Sequence, residues 1–342
     1  MGNGYSRMCV EIGGAVYCWG INDNGQLGDG SKVERHTAVQ VVNITTATSV
    51  SARHGDHACA TLADGTVQCW GSNGDGQLAD GTTIYRLTPV LVSGITTATS
   101  VSAGGSMSGS HTCAMLADGT VQSWGYNGNG QLGDGTTTDR LTPVLVSGIT
   151  TATSVSAGGS HNCAMLADGT VQCWGVNVNS QLGDGTTTSS NIPVQVSNIT
   201  TATSVSAGYD FNCATLAGDT VQCWGYNDKG QLGNNATTSS NIPVQVLGIT
   251  TTTSVSAGGS SGGGGVPGTI VPLRSADTLS DVEIAGIAVG CIAFVIILTL
   301  IGLCVRSRRR ADDKLRARLG IPTRGAPVAV TPQQPQVIVI QT

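Results

Sequence analysis

Short segments in which apolar and polar residues alternate run through the first 258 positions of the chain, separated by turn-forming residues. The fullest copy lies between Thr153 and Val196. Thr and Val dominate its segments, and no window shows the 3.6-residue period of an amphipathic helix. The pattern therefore predicts four short β-strands in this copy, at Ser154–Gly158, His161–Leu166, Thr170–Trp174 and Ile192–Val196.

A Trp-Gly-x-Asn-x-x-x-Gln-Leu motif recurs about every 50 residues and marks the four-strand unit as a repeat. A unit of this length with four strands is typical of a β-propeller blade, which cannot cover both of its faces without neighbours. The sequence therefore predicts an all-β fold over residues 1–258, a β-propeller of four-stranded blades with five repeats. The structural signature of each blade is its motif tryptophan: Trp19, Trp70, Trp124, Trp174 and Trp224.

The repeats also resemble a known family. The fourth copy carries Ala157-Gly158, His161-x-Cys163-Ala164-x-Leu166, Asp168-Gly169-Thr170-Val171, Trp174-Gly175-x-Asn177 and Gln181-Leu182-Gly183-Asp184-Gly185. On these residues the chain resembles the regulator of chromosome condensation repeat over residues 4–258. The resemblance implies a propeller that usually has seven blades, whereas five copies are seen here. It implies less about function, because members include exchange factors, photoreceptors, inhibitors and scaffolds.

The first copy begins at about Gly4 and lacks the opening Ser-Val-Ser-Ala strand of the others. An extra segment of this kind, Ser254–Ala257, follows the fifth copy. We expect either that this segment completes the first blade and closes the ring, or that blades upstream of Met1 are missing.

Eight of the eleven cysteines fall in pairs that flank a hairpin turn. Two-residue and three-residue turns both place the paired cysteines directly opposite each other, at the short Cβ separation that a disulfide needs. We expect four disulfides, which persist in oxidising compartments. The alternatives are small buried apolar residues and metal ligands, although a lone His-x-Cys in each copy is not a four-ligand set. The expected pairs are Cys9 with Cys18, Cys59 with Cys69, Cys163 with Cys173 and Cys213 with Cys223, and Cys113 faces Ser123.

Three Asn-x-Thr tripeptides, at Asn43, Asn198 and Asn235, are possible glycosylation sites. Such tripeptides also arise by chance in a Thr-rich chain. They agree with an extracytoplasmic propeller but add little support for it.

Residues 284–305 form an uninterrupted apolar segment without charge, which Arg306–Arg310 follows at once. As a helix it would span about 33 Å, enough to cross a bilayer. Residues 1–282 carry 18 acidic and 8 basic residues, and residues 306–342 carry 8 basic and 2 acidic ones. Positive charge beside a span marks the cytoplasmic side. The sequence thus predicts a single-pass membrane protein with an extracytoplasmic propeller and a cytoplasmic C-terminus.

The other expected segments follow from composition. Residues 259–283 are a Gly/Ser/Pro-containing linker and stalk, and residues 306–342 are a basic, then Pro/Gln-rich, disordered tail. Gly286 and Gly290 are spaced for helix association and make a homodimer possible. Met1–Val10 shows no charged-then-apolar leader, so the N-terminus is expected to be incomplete or processed. A cytosolic propeller on a C-terminal anchor is the competing topology.

No nucleophile–base pair or convergent acid–base set stands out, so we expect no catalysis, no cofactor and no metal. Asp29, Asp134 and Asp184 lie in Leu-Gly-Asp-Gly turns and could be calcium ligands, since the segment 22–25 is faintly like a calcium loop, but the spacing lacks the closing bidentate Glu. Three histidines recur at one repeat position, which indicates a structural role. An acidic propeller also disfavours nucleic acid as a partner.

We therefore expect an extracellular module that binds a protein or glycan. The alternative is a regulator like guanine-nucleotide exchange factors, acting on a small GTPase with a cytosolic propeller. Because the copies are nearly uniform, specificity is expected in the least repeated stretches: Lys32–His36, Arg53–His57, Ile84–Arg86, Ser106–Ser110 and Tyr209–Phe211. Within them, the candidate binding rim is Arg53, His54, Tyr85, Arg86, Tyr209 and Phe211.

Overall fold

The computed structural model describes residues 7–52, 55–249, 252 and 254–258 of the 342-residue chain. The chain divides into two units, residues 1–275 and 276–342, and every described residue lies in the first. The described part consists of β-strands and their connections. The strands are β1 (Arg7–Ile12), β2 (Ala15–Gly20), β3 (Arg35–Gln40), β4 (Ala47–Ser51), β5 (His57–Leu62), β6 (Val67–Gly71), β7 (Arg86–Leu91), β8 (Ala98–Ser106), β9 (Gly109–Leu116), β10 (Val121–Gly125), β11 (Arg140–Leu145), β12 (Ala152–Ala157), β13 (His161–Leu166), β14 (Val171–Gly175), β15 (Ser190–Gln195), β16 (Ala202–Ala207), β17 (Phe211–Leu216), β18 (Val221–Gly225) and β19 (Ser240–Gln245).

These strands form five antiparallel sheets in chain order. The first contains β1–β3, and the others contain β4–β7, β8–β11, β12–β15 and β16–β19. Each strand pairs with its neighbours in sequence, so each sheet is a meander. The predicted four-strand unit is therefore present in four of the five copies, and the first sheet has three described strands.

Tight turns join the second and third strands of each four-stranded sheet. In the second sheet the turn ends at Gly65, whose φ is +79°. A Cβ atom there would also lie 2.5 Å from the carbonyl oxygen of Thr96, in the linker to the next sheet. In the second sheet, both the left-handed backbone and the close approach of the linker therefore favour glycine. The fifth sheet places Asp219 at this position, with a φ of +63°.

The core lies between consecutive sheets rather than inside any one of them. At the second junction, Val67, Leu78 and Val92 of the second sheet pack against Ala114 and Trp124 of the third. Each such tryptophan also donates its indole N–H to the preceding sheet, as Trp124 Nε1 does to the carbonyl oxygen of Gln77 at 2.9 Å. Because neighbours supply each other's core, no sheet can be stable alone.

A second contact links the opening strands of successive sheets. A backbone N–H of one sheet donates to a serine hydroxyl of the sheet before it, at 2.9 Å in every case: Ala103 to Ser51, Ala157 to Ser102, Ala207 to Ser156 and Ala257 to Ser206. Residues 254–258 therefore lie beside the fifth sheet as the opening strand of a further sheet would, although they are not assigned as a strand.

The five sheets do not close into a ring within the described part of the chain. There, β1 pairs only with β2, and residues 254–258 do not extend its sheet. Met8, Val10 and Ile12 of β1, which a preceding sheet would cover, are exposed. The described residues thus do not show the expected closure by Ser254–Ala257.

The four cysteine pairs lie directly opposite each other across their hairpins, as expected. Disulfides join Cys9 to Cys18, Cys59 to Cys69, Cys163 to Cys173 and Cys213 to Cys223. The Cα atoms of each pair are only 4.0–4.1 Å apart, as in the closely spaced rungs of an antiparallel ladder. Seven of these eight cysteines, all but Cys9, are also buried in the core. Burial as small apolar residues, weighed above as an alternative, therefore accompanies the bonds rather than replacing them.

Cys113 is the free cysteine of the described residues. Ser123 lies in the partner position, and its hydroxyl donates to the sulfur of Cys113 at 2.8 Å. Burial raises the pKa of this thiol to about 12, so it is unreactive near neutral pH.

The predicted linker, membrane span and tail (259–283, 284–305 and 306–342), with Gly286 and Gly290, lie outside the described residues and stay predictions. Among the described residues there is no apolar helix of the length that a bilayer span needs.

Candidate protein-binding face

Each sheet presents its connections at two opposite ends. Because consecutive strands are antiparallel, the connection between the first and second strands emerges at the same end as the long loop between the third and fourth. The tight turns and the linkers to the next sheet emerge at the other end. We call the first end the loop face and the second the turn face. The described part of the loop face consists of residues 21–34, 52, 55–56, 72–85, 107–108, 126–139, 158–160, 176–189, 208–210 and 226–239.

A buried asparagine shapes each long loop of the loop face. In the second sheet, Asn73 Nδ2 donates to the carboxylate of Asp80 and to the carbonyl oxygens of Thr82 and Ile84, at 3.0–3.2 Å. Its Oδ1 accepts from the backbone N–H of Leu78 at 2.9 Å. The same position is buried in the other copies, at Asn22, Asn127, Asn177 and Asn227. The motif asparagine is therefore structural, since it satisfies the backbone of its own loop.

An arginine and an aspartate clamp the first three long loops. The pairs are Arg35–Asp29, Arg86–Asp80 and Arg140–Asp134, with N–O distances of 2.8, 2.6 and 2.7 Å. Burial alone would raise the pKa of Asp80, but hydrogen bonds from Thr82 and Arg86 outweigh it and lower the pKa. Arg86, predicted as a rim contact, thus stabilises its own loop. Ser190 and Ser240 stand at its position in the last two sheets.

The structure separates the predicted rim residues. Tyr85 lies exposed on the loop face, next to the exposed side chain of Ile84. Tyr209 is half-buried on the same face, and its carbonyl oxygen accepts from Gly159 N at 3.2 Å. Phe211 is only 7% exposed and packs against Val255 and Ala257, so it belongs to the core and not to the rim. Arg53 and His54 lie outside the described residues.

The irregular stretch at Ser106–Ser110 is an extended hairpin that projects from the loop face. Its strands β8 and β9 continue their pairing to Ser106 and Gly109. Met107, at the tip, is 89% exposed. Ser106 Oγ lies 2.8 Å from Ser160 Oγ of the fourth sheet, and Gly105 N donates to the carbonyl oxygen of Gly158. The hairpin is therefore braced by its neighbour and holds an apolar side chain in solvent.

A polar network between the sheets was not predicted in detail. The ring Nε2 of a buried histidine in one sheet lies 2.8–2.9 Å from a side-chain oxygen of the next: His57 with Thr112, His111 with Asn162 and His161 with Asn212. These partners also donate to a glutamine carbonyl oxygen in the loop of the preceding sheet. Burial lowers the pKa to about 3 for His57 and about 4 for the others. The three histidines are uncharged and link consecutive sheets, in agreement with a structural role.

The three possible glycosylation sites are exposed, and each replaces a left-handed glycine. Asn43 and Asn198 stand in linkers of the turn face, where other copies have Gly94 and Gly148, and Asn235 stands in a loop of the loop face. All three have a φ of about +60°, which asparagine tolerates better than most residues. Their backbone geometry gives them a structural explanation, and glycosylation stays a prediction.

The described residues contain no group of three or more His, Cys, Asp or Glu side chains that could hold a metal ion. What the loop face offers is a rigid frame with exposed apolar and aromatic side chains. Such a surface suits protein binding.

Comparison with known sequences identifies the repeat. The pattern of the Regulator of chromosome condensation (RCC1) repeat matches five consecutive segments, residues 13–61, 64–115, 118–165, 168–215 and 219–262. The chain belongs to the RCC1 repeat family. Each of the first four matched segments begins at or next to a tight turn and holds the last two strands of one sheet and the first two of the next. The sequence repeat of this RCC1 chain is thus out of phase with its sheets.

Relatives and solved structures agree with this assignment. The Ultraviolet-B receptor UVR8 of Arabidopsis thaliana is 34% identical over 146 residues, which cover 42% of this chain and 31% of that receptor. Human WBSCR16 has a TM-score of 0.66 at 21% identity, covering 74% of this chain and 68% of that one. Prp20p of Saccharomyces cerevisiae has a TM-score of 0.62 at 20% identity, covering 74% and 65%. These structures show the fold alone, and the match spans about a third of the length of UVR8.

Proposed function

We propose that this RCC1 chain is a non-catalytic protein-binding module, held on the outer side of a membrane by a single C-terminal span. The observation that carries the proposal is the loop face: variable, exposed side chains such as Tyr85 and Met107 project from loops whose frames repeat almost unchanged. Aromatic and apolar anchors on a rigid surface are the usual centre of protein recognition.

The extracytoplasmic side is supported by the cysteines and by the charges. Four disulfides across hairpins suit an oxidising compartment. The basic cluster 306–310 directly after the apolar segment 284–305 favours a cytoplasmic C-terminus. These two arguments rest on different residues and agree.

Topology provides the first test. An epitope inserted in the linker 259–265 of the full-length chain should bind an impermeant antibody on intact cells, whereas an epitope after Thr342 should bind only after permeabilisation. The reverse pattern would contradict the proposed orientation and support a cytosolic propeller.

The binding face provides the second test. Full-length chains are displayed on cells and incubated with a panel of secreted and cell-surface proteins. Tyr85→Ala and Met107→Ala should each reduce capture of any ligand at least tenfold, because both side chains project from the loop face. Leu247→Ala, at an exposed apolar residue of the turn face, is the matched control. Equal loss from the control, or capture of glycans alone, would contradict this assignment.

A second candidate is a cytosolic regulator of a small GTPase. The structural neighbour Prp20p favours it, because its structure was described together with its binding properties to Gsp1p and histones. This proposal requires the eight paired cysteines to be reduced inside the cell. Alkylation of these cysteines in intact cells, followed by mass spectrometry, would support this candidate, and protection would argue against it.

A further inference from the structure

The four junctions between consecutive sheets share one backbone arrangement on the loop face. The residue directly before the second strand of each sheet uses its carbonyl oxygen to accept a backbone N–H from the start of the long loop in the same sheet, at 2.8–3.0 Å. We call this residue the receiving residue of the junction with the preceding sheet. Because its backbone is held alike at all four junctions, differences between them come from side chains. The receiving residues are Asp56, Ser110, Ser160 and Asp210.

The first two junctions each contain a carboxylate that bridges the two sheets. At the first, Nδ2 of Asn24 in the long loop donates to Oδ2 of the receiving Asp56 at 3.2 Å. At the second, the acid comes from the other side: Oδ2 of Asp75, at the loop position of Asn24, accepts from the backbone N–H of the receiving Ser110 at 2.9 Å. Each junction thus has one carboxylate, whichever sheet supplies it.

The fourth junction also has a bridging carboxylate, with two amide donors. Gln181, the glutamine of the repeat motif, donates from Nε2 to Oδ1 of the receiving Asp210 at 3.2 Å. The side chain of Asn179 also forms a hydrogen bond with this carboxylate. Two neutral amides of one loop therefore meet an acid of the next sheet.

The third junction has the two amides without the acid. Asn129 and Gln131 stand at the loop positions of the two amides just described, but the receiving residue is Ser160. Gln131 is fully buried, and its Nε2 has no hydrogen-bond partner among the described residues. Its Oε1 accepts from the backbone N–H of Asn129 at 3.0 Å, so the amide cannot turn over without losing that bond. A buried N–H donor without an acceptor is unfavourable.

The acceptors that the motif glutamine uses in other copies are also missing from the third. In the second sheet it donates to the hydroxyl of Ser72 at 3.3 Å, and in the fifth to the carboxylate of Asp228 at 3.4 Å. The third sheet has Tyr126 and Gly128 at these two positions. The chain's own ways of satisfying this amide are therefore all replaced at one junction.

We propose that the third junction is a binding site for a carboxylate of another molecule. The carboxylate takes the place that Asp210 has at the fourth junction and accepts from the side-chain amides of Gln131 and Asn129. Hydrogen bonds to an ionised acceptor are stronger than those between neutral groups. The occupant is an acidic side chain of a bound protein, because the chain itself uses aspartate side chains at the other three junctions. This choice of occupant rests on the proposed function, whereas the carboxylate site does not.

The site adjoins the exposed hairpin of the loop face. Ser160 is only partly buried, so the junction is reached from solvent. Its hydroxyl lies 2.8 Å from that of Ser106, and the next residue, Met107, is the exposed tip. A protein that covers Met107 can therefore place an acidic side chain in the junction at the same time.

A capped amino acid tests the site without any protein ligand. The full-length chain in detergent micelles is heated with N-acetyl-aspartate amide, and N-acetyl-asparagine amide at the same ionic strength is the matched control. The aspartate probe should raise the Tm, because it binds only the folded chain, and the asparagine probe should not. Equal responses to the two probes would overturn the proposal. An unchanged Tm with the aspartate probe would also overturn it.

An acid supplied by the chain itself should block the site. Ser160→Asp repeats the arrangement of the fourth junction, so it should raise the Tm and abolish the response to the aspartate probe. Asn129→Asp should also abolish the response, since its carboxylate repels the probe. The matched control is Ser110→Asp, the same exchange at the second junction, where it meets the carboxylate of Asp75. This control should lower the Tm and keep the response. A full response in Ser160→Asp and Asn129→Asp would overturn the proposal.

The reverse exchange should create a second site. Asp210→Ser removes the acceptor of Gln181 and should lower the Tm. The aspartate probe should restore part of this loss, and equal restoration by the asparagine probe would overturn the proposal.

The occupant is tested by protein capture on cells. Ser160→Asp should reduce capture of a protein ligand about tenfold. Loss of the probe response with unchanged capture would overturn the acidic side chain of a protein as the occupant. A probe response in a chain that captures no protein would support the carboxylate site and contradict the proposed function.

Discussion

The first and second sheets carry almost the same sequence pattern and have different surroundings. Trp70 is fully buried, and its indole N–H donates to Gln26 of the first sheet. Trp19, at the same place in the first sheet, is only partly buried. The difference teaches that a repeat's burial comes from its neighbour and not from its own strands. The contribution of a motif tryptophan to stability therefore depends on how much of its ring the preceding sheet buries.

The largest effect on stability is expected for a pair of tryptophan substitutions. Trp174→Ala removes a fully buried ring and its bond to Gln131, and should lower the free energy of unfolding by about 3–5 kcal/mol. Trp19→Ala should cost less than half as much. Urea unfolding followed by circular dichroism measures both. Equal losses would contradict the difference in burial between the two tryptophans.

Removing a disulfide, unlike removing a tryptophan, should have the same effect in the first and fourth sheets. Replacing Cys9 and Cys18 with Ala, or Cys163 and Cys173 with Ala, should cost about 2–3 kcal/mol in either sheet, because a cross-link acts mainly on the unfolded chain. The closed loops are nearly equal, with separations of 9 and 10 residues. Ser123→Cys should add a comparable amount by pairing with Cys113. A free-thiol count checks that each bond has formed. A much larger loss of unfolding free energy in the fourth sheet than in the first would contradict an effect that acts mainly on the unfolded chain.

The buried histidines predict how stability depends on pH. The pKa of His161 is lowered to about 4 by burial, while the unfolded chain titrates near 6.5. Stability is therefore complete above pH 6.5 and is lost as the pH falls towards 4, by up to about 1.4 kcal/mol per pH unit. His161→Phe, the residue type found at this position in the fifth sheet, should remove about 2 kcal/mol of the loss between about pH 6.5 and 5.

Unfolding free energies between about pH 7.5 and 5 provide the measurement for this variant. His36→Phe, at an exposed histidine, is the control for exchanging histidine for phenylalanine away from the sheet junctions. An unchanged slope for His161→Phe would show that this histidine is not neutral in the folded chain.

The smallest effect concerns the loop clamps. Arg35→Gln and Arg86→Gln should each cost about 0.5–1 kcal/mol, because the arginines are partly exposed and the carboxylates keep their other hydrogen bonds. The clamps lie within single loops, so the first and second sheets should respond alike. A difference above about 1 kcal/mol between the two variants in thermal unfolding would contradict this local description.

Sequence reasoning recovered the elements that depend on local spacing. The strands, the opposed cysteines and the repeating tryptophans follow from alternation and hairpin length, which are properties of neighbouring residues. Of the polar contacts between sheets, the sequence showed only the repeated histidine. Its partner lies about 50 residues away, and which residue that is depends on the register of two sheets.

Two rim residues show why the candidate site was harder to predict. Phe211 departs from the repeat and was therefore predicted as a contact, yet it fills the core beside Val255. Arg86 differs only from the serines at its position in the last two sheets, and it binds Asp80 of its own loop. Departure from a repeat identifies a residue with a different environment, and only the structure distinguishes a surface residue from one that packs between sheets. Whether the sheets close depends on how they stack, which no local pattern encodes.

The offset between sequence repeat and sheet has a consequence for how such a chain can grow. The unit 64–115 holds Val67, Leu78 and Val92 from one side of a junction and Ala98 and Ala114 from the other. Duplicating this stretch of gene would copy a finished contact surface in one event, with both halves already matched. Arrays of different length can therefore arise without any new interface having to evolve.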